Sequence, residues 1–397
     1  MVKTTINNGK KVYLVAGMRT PFGKFGGSLR SINPVDLAVH ASKGLFTTLG
    51  LAPDIVDHVI FGNVAPSTTD TIYGGRHLAL KLGMPKTTPG YNVNRLCGSG
   101  IQIILDAVNL IKLQKAEVVL AAGSENMSLM PQLLYGGRFG TRYGNLQTVD
   151  MLLDTLTDKF TGMPMAMTAE KMAEIYDVSR KRCDEFSMRS HLKACEAKKQ
   201  GFLKGEITPF ESKQGECRED EHVRGEVKLE ELMALTASFK KGGVVTPATA
   251  SGVVDGACSV LVASESAVKR FNLSPLAEIV DGEVIGVDPT IMGIGPVPAV
   301  KKLLDQNSLK VDDVDLFEIN EAFAVQVLAC SDELRLSESK LNVWGGSIAV
   351  GHPLGATGTR LALTLARQLS VLDKQYGVAS ACIGGGQGIS VLLKKSE

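Results

Sequence analysis

The chain has 397 residues, with 43 Lys and Arg against 42 Asp and Glu, and a net charge of +1. A charge so evenly balanced excludes a broad basic surface for nucleic acid or an anionic membrane, and the 5% aromatic content argues against base-stacking surfaces. The 44% hydrophobic content is typical of a soluble globular protein, the length suggests two or three domains, and no apolar run is long enough to predict a transmembrane helix.

The cysteines favour a reducing compartment. There are seven, none in a C-x-x-C pair, and they are Cys97, Cys183, Cys195, Cys217, Cys258, Cys330 and Cys382. An odd, scattered set in a long chain indicates free thiols rather than a disulfide framework. The first eleven residues are basic but have no apolar core, so they do not resemble a secretory signal. We therefore expect the bacterial cytoplasm, with the mitochondrial matrix as the alternative.

The first third alternates strands with helices. Apolar runs at residues 12–16, 58–61 and 118–122 predict buried strands, and residues 36–49 have helical spacing that ends at Gly50. Such alternation indicates an α/β sheet with helices on its faces.

A single cysteine turn leads into another predicted helix. The run Asn94-Arg95-Leu96-Cys97-Gly98-Ser99-Gly100 precedes apolar helical spacing over residues 101–113. Cys97 therefore lies at a helix amino terminus, where unpaired N–H groups and the helix dipole favour negative charge. We expect its thiol to lose a proton more readily than a free cysteine and to act as a nucleophile. A buried structural cysteine is the alternative interpretation.

The middle of the chain has a different composition. Methionines crowd the segment after about residue 124, and residues 169–240 are rich in charge. This pattern predicts an inserted loop domain over residues 124–249. Residues 1–123 form an amino-terminal α/β half that is completed by about residues 250–270, and residues 271–397 form a carboxyl-terminal half.

The last third repeats the first in outline. Residues 54–63 resemble 311–320, and 118–123 resemble 378–384, at an offset near 260 residues. This agreement predicts a duplicated α/β unit. The duplication would place three pairs of turns at equivalent positions of the two halves: Asn63 with Asn320, Cys97 with His352, and Gly123 with Gly384.

Three polar motifs in the last third each follow a predicted strand, where open α/β sheets bind ligands. They are centred on Asn320, His352 and Cys382. Two thiols and one imidazole fit acyl transfer through a thioester, with His352 as base for Cys97 and Cys382 as acid or base at carbon. Glycines around Gly384 could offer N–H groups to an oxyanion. A zinc site is the alternative, although structural zinc usually needs four ligands with paired spacing.

The motifs together resemble the thiolase family over essentially the whole chain. They are C-G-S-G at Cys97, N-E-A-F at Asn320, G-H-P-L-G-A-T-G around His352, C-I-G-G-G-Q-G at Cys382, and G-S-E-N-M-S from Gly123. The run M-P-M-A-M-T-A-E most resembles the mitochondrial-type 3-ketoacyl-CoA thiolases. The resemblance implies an α/β thiolase fold, with duplicated βαβαβ-type halves in a five-layered αβαβα arrangement and an inserted loop domain that covers coenzyme A.

The same resemblance implies the reaction: CoA-dependent cleavage of 3-ketoacyl-CoA, as in fatty-acid β-oxidation, through an acyl group on Cys97. His352 would take the proton of Cys97, and Cys382 would donate or remove the proton at the acetyl α-carbon. Asn320, through a water, would form one oxyanion hole with His352. The N–H groups of Cys97 and Gly384 would form the other.

Coenzyme A, acetyl-CoA and 3-ketoacyl-CoA are then substrates, and no permanently bound cofactor or metal is expected. Arg224 and Val227 would lie near the CoA nucleotide, and Ser251 and Gly252 along its pantetheine. Two positions depart from the family pattern: Val227 replaces a common threonine, and Thr249 stands where asparagine is usual.

Met165, Met292 and Phe323 would line the acyl pocket, and a homodimer or homotetramer is expected. Three other functions stay open at this point: a biosynthetic acetyl-CoA acetyltransferase making acetoacetyl-CoA, a condensing synthase acting on carrier-protein substrates, and a non-catalytic CoA- or acyl-binding scaffold.

Overall fold

The structure is a computed structural model that describes residues 10–212 and 215–396. Most of the basic first eleven residues, positions 1–9, therefore lies outside the described part. Within the described part, no helix combines the length and the apolarity needed to cross a bilayer.

Sixteen strands are present in the described residues. In chain order they are β1 (Val12–Arg19), β2 (Gly23–Lys24), β3 (His58–Gly62), β4 (Gly90–Val93), β5 (Val118–Asn126), β6 (Gln132–Leu133), β7 (Val149–Asp150), β8 (Thr157–Asp158), β9 (Met163–Pro164), β10 (Phe210–Ser212), β11 (Gly215–Cys217), β12 (Val254–Ser264), β13 (Ala277–Gly286), β14 (Leu316–Ile319), β15 (Tyr376–Ile383) and β16 (Gln387–Lys395).

Twelve α-helices accompany them in the same described residues, joined in places by short 3₁₀ turns. They are α1 (Pro34–Leu49), α2 (Gly74–Lys81), α3 (Ser99–Lys112), α4 (Met151–Thr155), α5 (Met165–Ile175), α6 (Arg180–Lys199), α7 (Leu229–Met233), α8 (Glu265–Arg270), α9 (Pro296–Gln306), α10 (Ala324–Leu334), α11 (Ser347–Val350) and α12 (Leu354–Val371). The predicted strands and helices of the first third are all present, and α1 ends at Gly50, which adopts a left-handed conformation with φ 64°.

Ten strands form one sheet with two similar halves. One half has the order β4-β3-β5-β12-β1, with β2 beside β12, and the other has the order β13-β16-β15-β14. Only two residue pairs join the halves, Tyr13 with Glu278 and Leu14 with Ala277. Each half has a parallel pair next to its antiparallel strands, β3 with β5 and β14 with β15. The duplication predicted from the sequence is therefore visible in strand order and direction.

The apolar core is divided into three layers by these two half-sheets. The central cluster takes residues from α3, α12 and both halves, such as Ile104, Leu363, Val260 and Val391. A second cluster packs α1 and α2 on the outer face of the first half, and a third packs α9 and α10 on the outer face of the second half. The result is the expected five-layered αβαβα arrangement.

The two central helices meet backbone to backbone. A Cβ at Gly100 would lie 2.3 Å from the backbone N of Thr359, and one at Gly358 would lie 2.4 Å from the N of Ile101. Only glycine permits this approach at either position. Because the first turns of α3 and α12 touch, the turns that precede them, carrying Cys97 and His352, are brought to the same region.

The inserted segment lies between β5 and β12. β5 runs to Asn126, three residues into the predicted insertion, and β12 begins at Val254, shortly after its predicted end at residue 249. Arg19 is the last residue of β1, beyond the apolar run at residues 12–16, and it is almost fully buried. Its guanidinium contacts Glu206 at 2.8 Å and Asp220 at 2.6 Å, so buried ion pairs attach the insertion to the sheet.

Candidate active site

Cys97 lies in the 3₁₀ turn Leu96–Gly98 immediately before α3. The hydroxyl of Ser99 donates to the carbonyl of Leu96 at 2.7 Å, which fixes the turn. Gly98 packs against the end of β15, where a Cβ would lie only 2.5 Å from the Ile383 side chain. The cysteine turn of the first half therefore sits directly on the last strands of the second half.

The protonation of Cys97 differs from the prediction. Burial raises the pKa of its thiol to about 11, and the charge of Glu125 acts in the same direction. The N–H groups of Gly384 and of Cys97 itself point at the sulfur and lower the pKa, but by less. The expectation of an easily deprotonated thiol is therefore wrong for the substrate-free site, because desolvation outweighs the N–H groups at this helix end.

His352 is held as a neutral imidazole. Its Nδ1 lies 2.6 Å from the hydroxyl of Thr357, which donates to the carbonyl of Pro353 at 3.0 Å. Since that hydroxyl proton is used, Nδ1–H is the donor and Nε2 keeps its lone pair. Burial lowers the pKa of His352 to about 3, so the ring is uncharged at neutral pH and presents a base.

Asn320 follows β14 and is fully buried. Its Nδ2 lies 3.2 Å from Nε2 of His352, and its Oδ1 accepts a hydrogen bond from Ser347 at 2.7 Å. The backbone N–H of Asn320 donates to Ser380 on β15, two residues before Cys382. The Asn320 and His352 side chains thus form one pair at the carboxyl ends of β14 and β15.

Cys382 completes the group. It is 1% exposed, at the end of β15, and its pKa is raised well above the ordinary value, first by burial and then by the nearby Cys97. Leu354, two residues after His352, packs in the same apolar cluster as Cys97. The structure therefore brings together the two thiols and the imidazole that the sequence analysis selected.

A cleft of about 350 Å³ opens beside Gly384. Leu96 and Met165 line it, together with the segment around Asp158 from the insertion. A Cβ at Gly384 would lie 3.1 Å from the sulfur of Met165. Of the three predicted pocket residues, Met165 therefore lines this cleft.

The other two predicted pocket residues pack beside Cys382 and do not line the cleft. Met292 is 3% exposed and packs with Cys382 and Ala322, and Phe323 is packed against the same cluster, as is Met165.

Two of the predicted CoA-binding residues adjoin the catalytic group. The N–H of Ser251 donates to the carbonyl of Ala322 at 3.0 Å, and the carbonyl of Gly252 accepts the N–H of His352 at 2.9 Å. Thr249 is one of the two departures from the family pattern, and its hydroxyl donates a hydrogen bond to the carbonyl of Val244 at 2.7 Å. That hydroxyl stabilises its own turn.

Arg224 and Val227 lie farther along the insertion, between β11 and α7. The N–H of Arg224 donates to Nδ1 of His191 at 3.2 Å, and its side chain is exposed. The ring of His222 stacks near His191, with centroids 6.1 Å apart, and contacts Gly252. This row of contacts connects Arg224 to the backbone beside His352.

Several buried polar residues around the site were not singled out from the sequence. Arg360 on α12 pairs with Glu318 on β14 at 3.1 Å and donates to Ser347 at 3.0 Å. A usable signal was present, because Glu318 interrupts an apolar strand and Arg360 an apolar helix, and buried charges are rare unless paired. Glu125 accepts N–H bonds from Val64 and Gly355, and burial raises its pKa to about 7.

The described residues contain no cluster of metal ligands. Across residues 10–212 and 215–396, no three His, Cys, Asp or Glu side chains are grouped so that they could hold a metal ion. The zinc alternative therefore has no ligand cluster in this part of the chain.

Comparison with protein families gives two adjoining matches that cover most of the chain. Residues 12–266 match the thiolase N-terminal domain, and residues 273–395 match the thiolase C-terminal domain. The boundary between them falls between β12 and β13, where the chain passes from the first half of the sheet to the second.

Individual relatives match over nearly their full length. The chain is 45% identical to human mitochondrial 3-ketoacyl-CoA thiolase over 390 residues, which is 97% of this chain and 98% of the relative. It is 42% identical over 391 residues to a Staphylococcus aureus (strain COL) protein named a probable acetyl-CoA acyltransferase, covering 97% and 99% of the two chains.

Solved structures give the same result. The human mitochondrial 3-ketoacyl-CoA thiolase in complex with CoA superposes with a TM-score of 0.96 at 46% identity, over 98% of each chain. Bacillus anthracis acetyl-CoA acetyltransferase superposes with a TM-score of 0.94 at 39% identity, over 98% of this chain and 99% of the other. The thiolase fold predicted from the motifs is confirmed.

Proposed function

The chain belongs to the thiolase family, and from that premise we propose that it cleaves 3-ketoacyl-CoA with CoA to give acetyl-CoA and a shortened acyl-CoA. It is an acyltransferase, and its relatives include a mitochondrial 3-ketoacyl-CoA thiolase and an acetyl-CoA acyltransferase. One observation carries the proposal for this site. The thiols of Cys97 and Cys382 are close enough to influence each other, beside the Asn320–His352 pair.

The first step is acyl transfer to Cys97. Its thiol gives the proton to Nε2 of His352, and its sulfur attacks the 3-keto carbon. The N–H groups of Cys97 and Gly384, which point at this sulfur, support the step because the alkoxide oxygen forms beside it. Both pKa shifts favour the neutral thiol–imidazole pair when the site is empty, so the proton moves as the substrate carbonyl is attacked.

The second step breaks the bond between the α-carbon and the former ketone carbon. The electron pair of that bond becomes the enolate of acetyl-CoA, whose oxygen accepts from a water held by the Asn320 amide and from the protonated His352. Cys382 then gives its proton to the α-carbon and becomes a thiolate. The raised pKa of Cys382 supports this role, because a proton donor has to be protonated before the step.

The third step returns the enzyme to its starting state. The thiol of an incoming CoA gives its proton to the Cys382 thiolate, and the CoA sulfur attacks the acyl-Cys97 thioester. Cys97 leaves as a thiolate and takes back the proton held by His352. All protons and charges then balance over the cycle.

Two single substitutions test the roles of the two thiols separately. We expect Cys97→Ala to take up no labelled acetyl group from acetyl-CoA. We expect Cys382→Ala to become acetylated but to lose deuterium exchange at the acetyl α-carbon by on the order of a hundredfold or more. Acetylation is measured by mass spectrometry and exchange by NMR.

Cys258→Ala is the matched control, because Cys258 is fully buried on β12 and has no assigned role. It should retain both activities. Acetylation of the Cys97→Ala protein would overturn the nucleophile assignment. Normal exchange in Cys382→Ala would overturn the role of the second thiol.

The proposal includes the route of CoA and the acyl chain. CoA would pass along Ser251 and Gly252 toward Arg224 and Val227, and the acyl chain would enter the cleft lined by Met165. The contact of Gly252 with the His352 backbone supports this route. Thiolysis rates across a series of 3-ketoacyl-CoA chain lengths would define the preferred chain and distinguish a degradative enzyme from an acetoacetyl-CoA-forming one.

We also propose a homodimer or homotetramer. Large apolar side chains are exposed on the inserted segment, notably Phe139, Tyr143 and Phe160, each at least 90% exposed. The outer strand β4 leaves one edge of the sheet open, and an open edge is a template for pairing. Light scattering coupled to size-exclusion chromatography would give the number of subunits.

A bacterial cytoplasm is the proposed compartment. All seven cysteines are free thiols, which is the state kept by a reducing compartment. Fractionation of the source cells with an antibody against the chain would test this assignment.

A further inference from the structure

A continuous chain of polar contacts runs behind the catalytic pair. Glu318 binds Arg360 at 3.1 Å, Arg360 donates to the hydroxyl of Ser347 at 3.0 Å, and that hydroxyl contacts Oδ1 of Asn320 at 2.7 Å. Asn320 then reaches Nε2 of His352 at 3.2 Å. All five side chains are nearly or fully buried, between 0% and 6% exposed, so each has only its protein neighbours to satisfy it.

The chemistry of arginine sets the direction of every hydrogen bond in this chain. A guanidinium has five N–H donors and no acceptor, and it stays protonated in proteins. The Ser347 oxygen must therefore accept from Arg360, which leaves its single proton to donate to Asn320. Only the carbonyl oxygen of the Asn320 side chain can accept that proton.

The orientation of Asn320 follows from this. With Oδ1 facing Ser347, the Nδ2 amide group faces Nε2 of His352 and the reaction centre. The reverse orientation would place two donors, the Ser347 hydroxyl and the amide N–H, against each other. It would also point a carbonyl oxygen at the imidazole lone pair. A buried polar group that lacks its hydrogen bond is costly, so the reverse orientation is disfavoured at both ends.

We propose that Ser347 and Arg360 are positioning residues: they fix the Asn320 amide so that it donates toward the reaction centre and, together with Thr357, holds His352 in the tautomer that carries hydrogen on Nδ1. This inference rests on the proposed function, since it explains how the Asn320–His352 pair is kept ready to stabilise an enolate oxygen. Neither Ser347 nor Arg360 touches the reacting atoms.

The first readout is independent of activity. The chain has only six histidines, so selective ¹⁵N-histidine labelling allows the His352 signal to be assigned by its loss in a His352→Gln protein. In the unmodified protein we expect hydrogen on Nδ1. In Ser347→Ala the released Asn320 amide can rotate and offer its oxygen to Nε2, so we expect signals of the Nε2–H tautomer to appear beside those of the Nδ1–H tautomer, which Thr357 still favours.

The second readout is kinetic. Ser347→Ala should lower kcat for thiolysis on the order of tenfold or more, with the KM for CoA changed by less than about twofold. Ser347→Thr keeps the hydroxyl and should restore both the tautomer and most of kcat. Arg360→Lys keeps the charge but cannot serve Glu318 and Ser347 together through a fork, so kcat should fall there too.

Ser187→Ala is the matched control, since this serine is equally buried and bonds only within α6, to the carbonyl of Cys183 at 2.8 Å. It should leave the tautomer and kcat unchanged. An unaltered His352 tautomer in a folded Ser347→Ala protein would overturn the inference. If the unmodified protein performs no thiolysis, the proposed function fails, but the tautomer measurement still decides the positioning role.

Discussion

At the scale of single residues, burial controls the reactive groups more than the helix end does. Cys97 lies before α3, yet burial raises the pKa of its thiol to about 11 against an ordinary 9.0. His352 shifts in the opposite direction, to about 3, because burial disfavours the charged form of both an acid and a base. The empty site therefore holds an uncharged pair.

This predicts the pH dependence of alkylation at Cys97. The pKa of the thiol in the folded protein lies above its ordinary value, so the thiolate fraction at pH 8 is smaller than that of a free cysteine. Reaction with iodoacetamide should be slower there than with N-acetylcysteine, and its rate should keep rising between pH 9 and about 11. Peptide mass spectrometry of Cys97 measures the rate at each pH.

The same shift has a consequence for stability. The unfolded chain loses the Cys97 proton near pH 9 and the folded chain near pH 11, so this group favours unfolding as the pH rises through that interval. A Cys97→Ala protein should lose less stability than the unmodified protein between these pH values.

In the alkylation experiment, a rate that levels off below pH 8 would contradict the raised pKa of the Cys97 thiol.

At the scale of elements, the crossing of α3 and α12 determines where the catalytic turns lie. Gly100 and Gly358 let the two backbones touch, and each helix carries its catalytic residue on the turn just before it. Loss of either glycine would force apart the two helices of the central layer.

We therefore predict that Gly358→Ala destabilises the fold. The added Cβ would lie 2.4 Å from the backbone N of Ile101, which cannot move independently of its helix. Overpacking of this kind costs about 1–3 kcal/mol in the free energy of unfolding. Gly225→Ala is the control, because nothing lies within 4 Å of its added Cβ. Urea unfolding followed by circular dichroism compares the two, and equal midpoints would contradict the prediction.

Much of this arrangement was predictable because repetition and strand ends are visible in a sequence. The offset near 260 residues predicted two similar halves, and Asn320 and Cys382 lie at the carboxyl ends of the parallel strands β14 and β15. The strand predicted before the His352 motif is wrong, because a single bridge at Leu341 leads instead into the short helix α11. The apolar run at residues 118–122 predicted only part of β5. Gly123 interrupts that run, whereas the backbone pairing of β5 with β12 continues to Asn126.

Long-range polar pairing was not predictable in the same way. The buried ion pairs of Arg19 with Glu206 and Asp220 join residues that are 187 and 201 positions apart in the chain. Glu318 and Arg360 each stand out as a charge within an apolar segment, but their pairing is not visible in the sequence, because they are 42 residues apart. The direction of the Cys97 pKa shift depends on burial, which no local motif specifies.

At the scale of the whole molecule, the halves share one interior. The central core cluster contains side chains from both half-sheets and from α3 and α12, so neither half can bury its apolar surface alone. The site is shared as well, with Cys97 from the first half and His352, Asn320 and Cys382 from the second.

This predicts cooperative unfolding. Residues 271–397 expressed alone should show no sharp thermal transition, because the central layer would be exposed to water. Coexpression with residues 1–270 should restore a folded, active complex. Differential scanning calorimetry of the full chain should give a single peak, and two peaks assignable to separate halves would contradict a shared interior.

The backbone contact between α3 and α12 also bears on how such a site can arise. An assembly of two identical single-half chains would have to carry the same residue in both equivalent turns, since one sequence would specify both. Joining the copies in one polypeptide removes that constraint, so one turn can keep a nucleophile while its counterpart acquires a base. The unequal chemistry of Cys97 and His352 at matching positions is thus an option that covalent fusion opens and strict symmetry forbids.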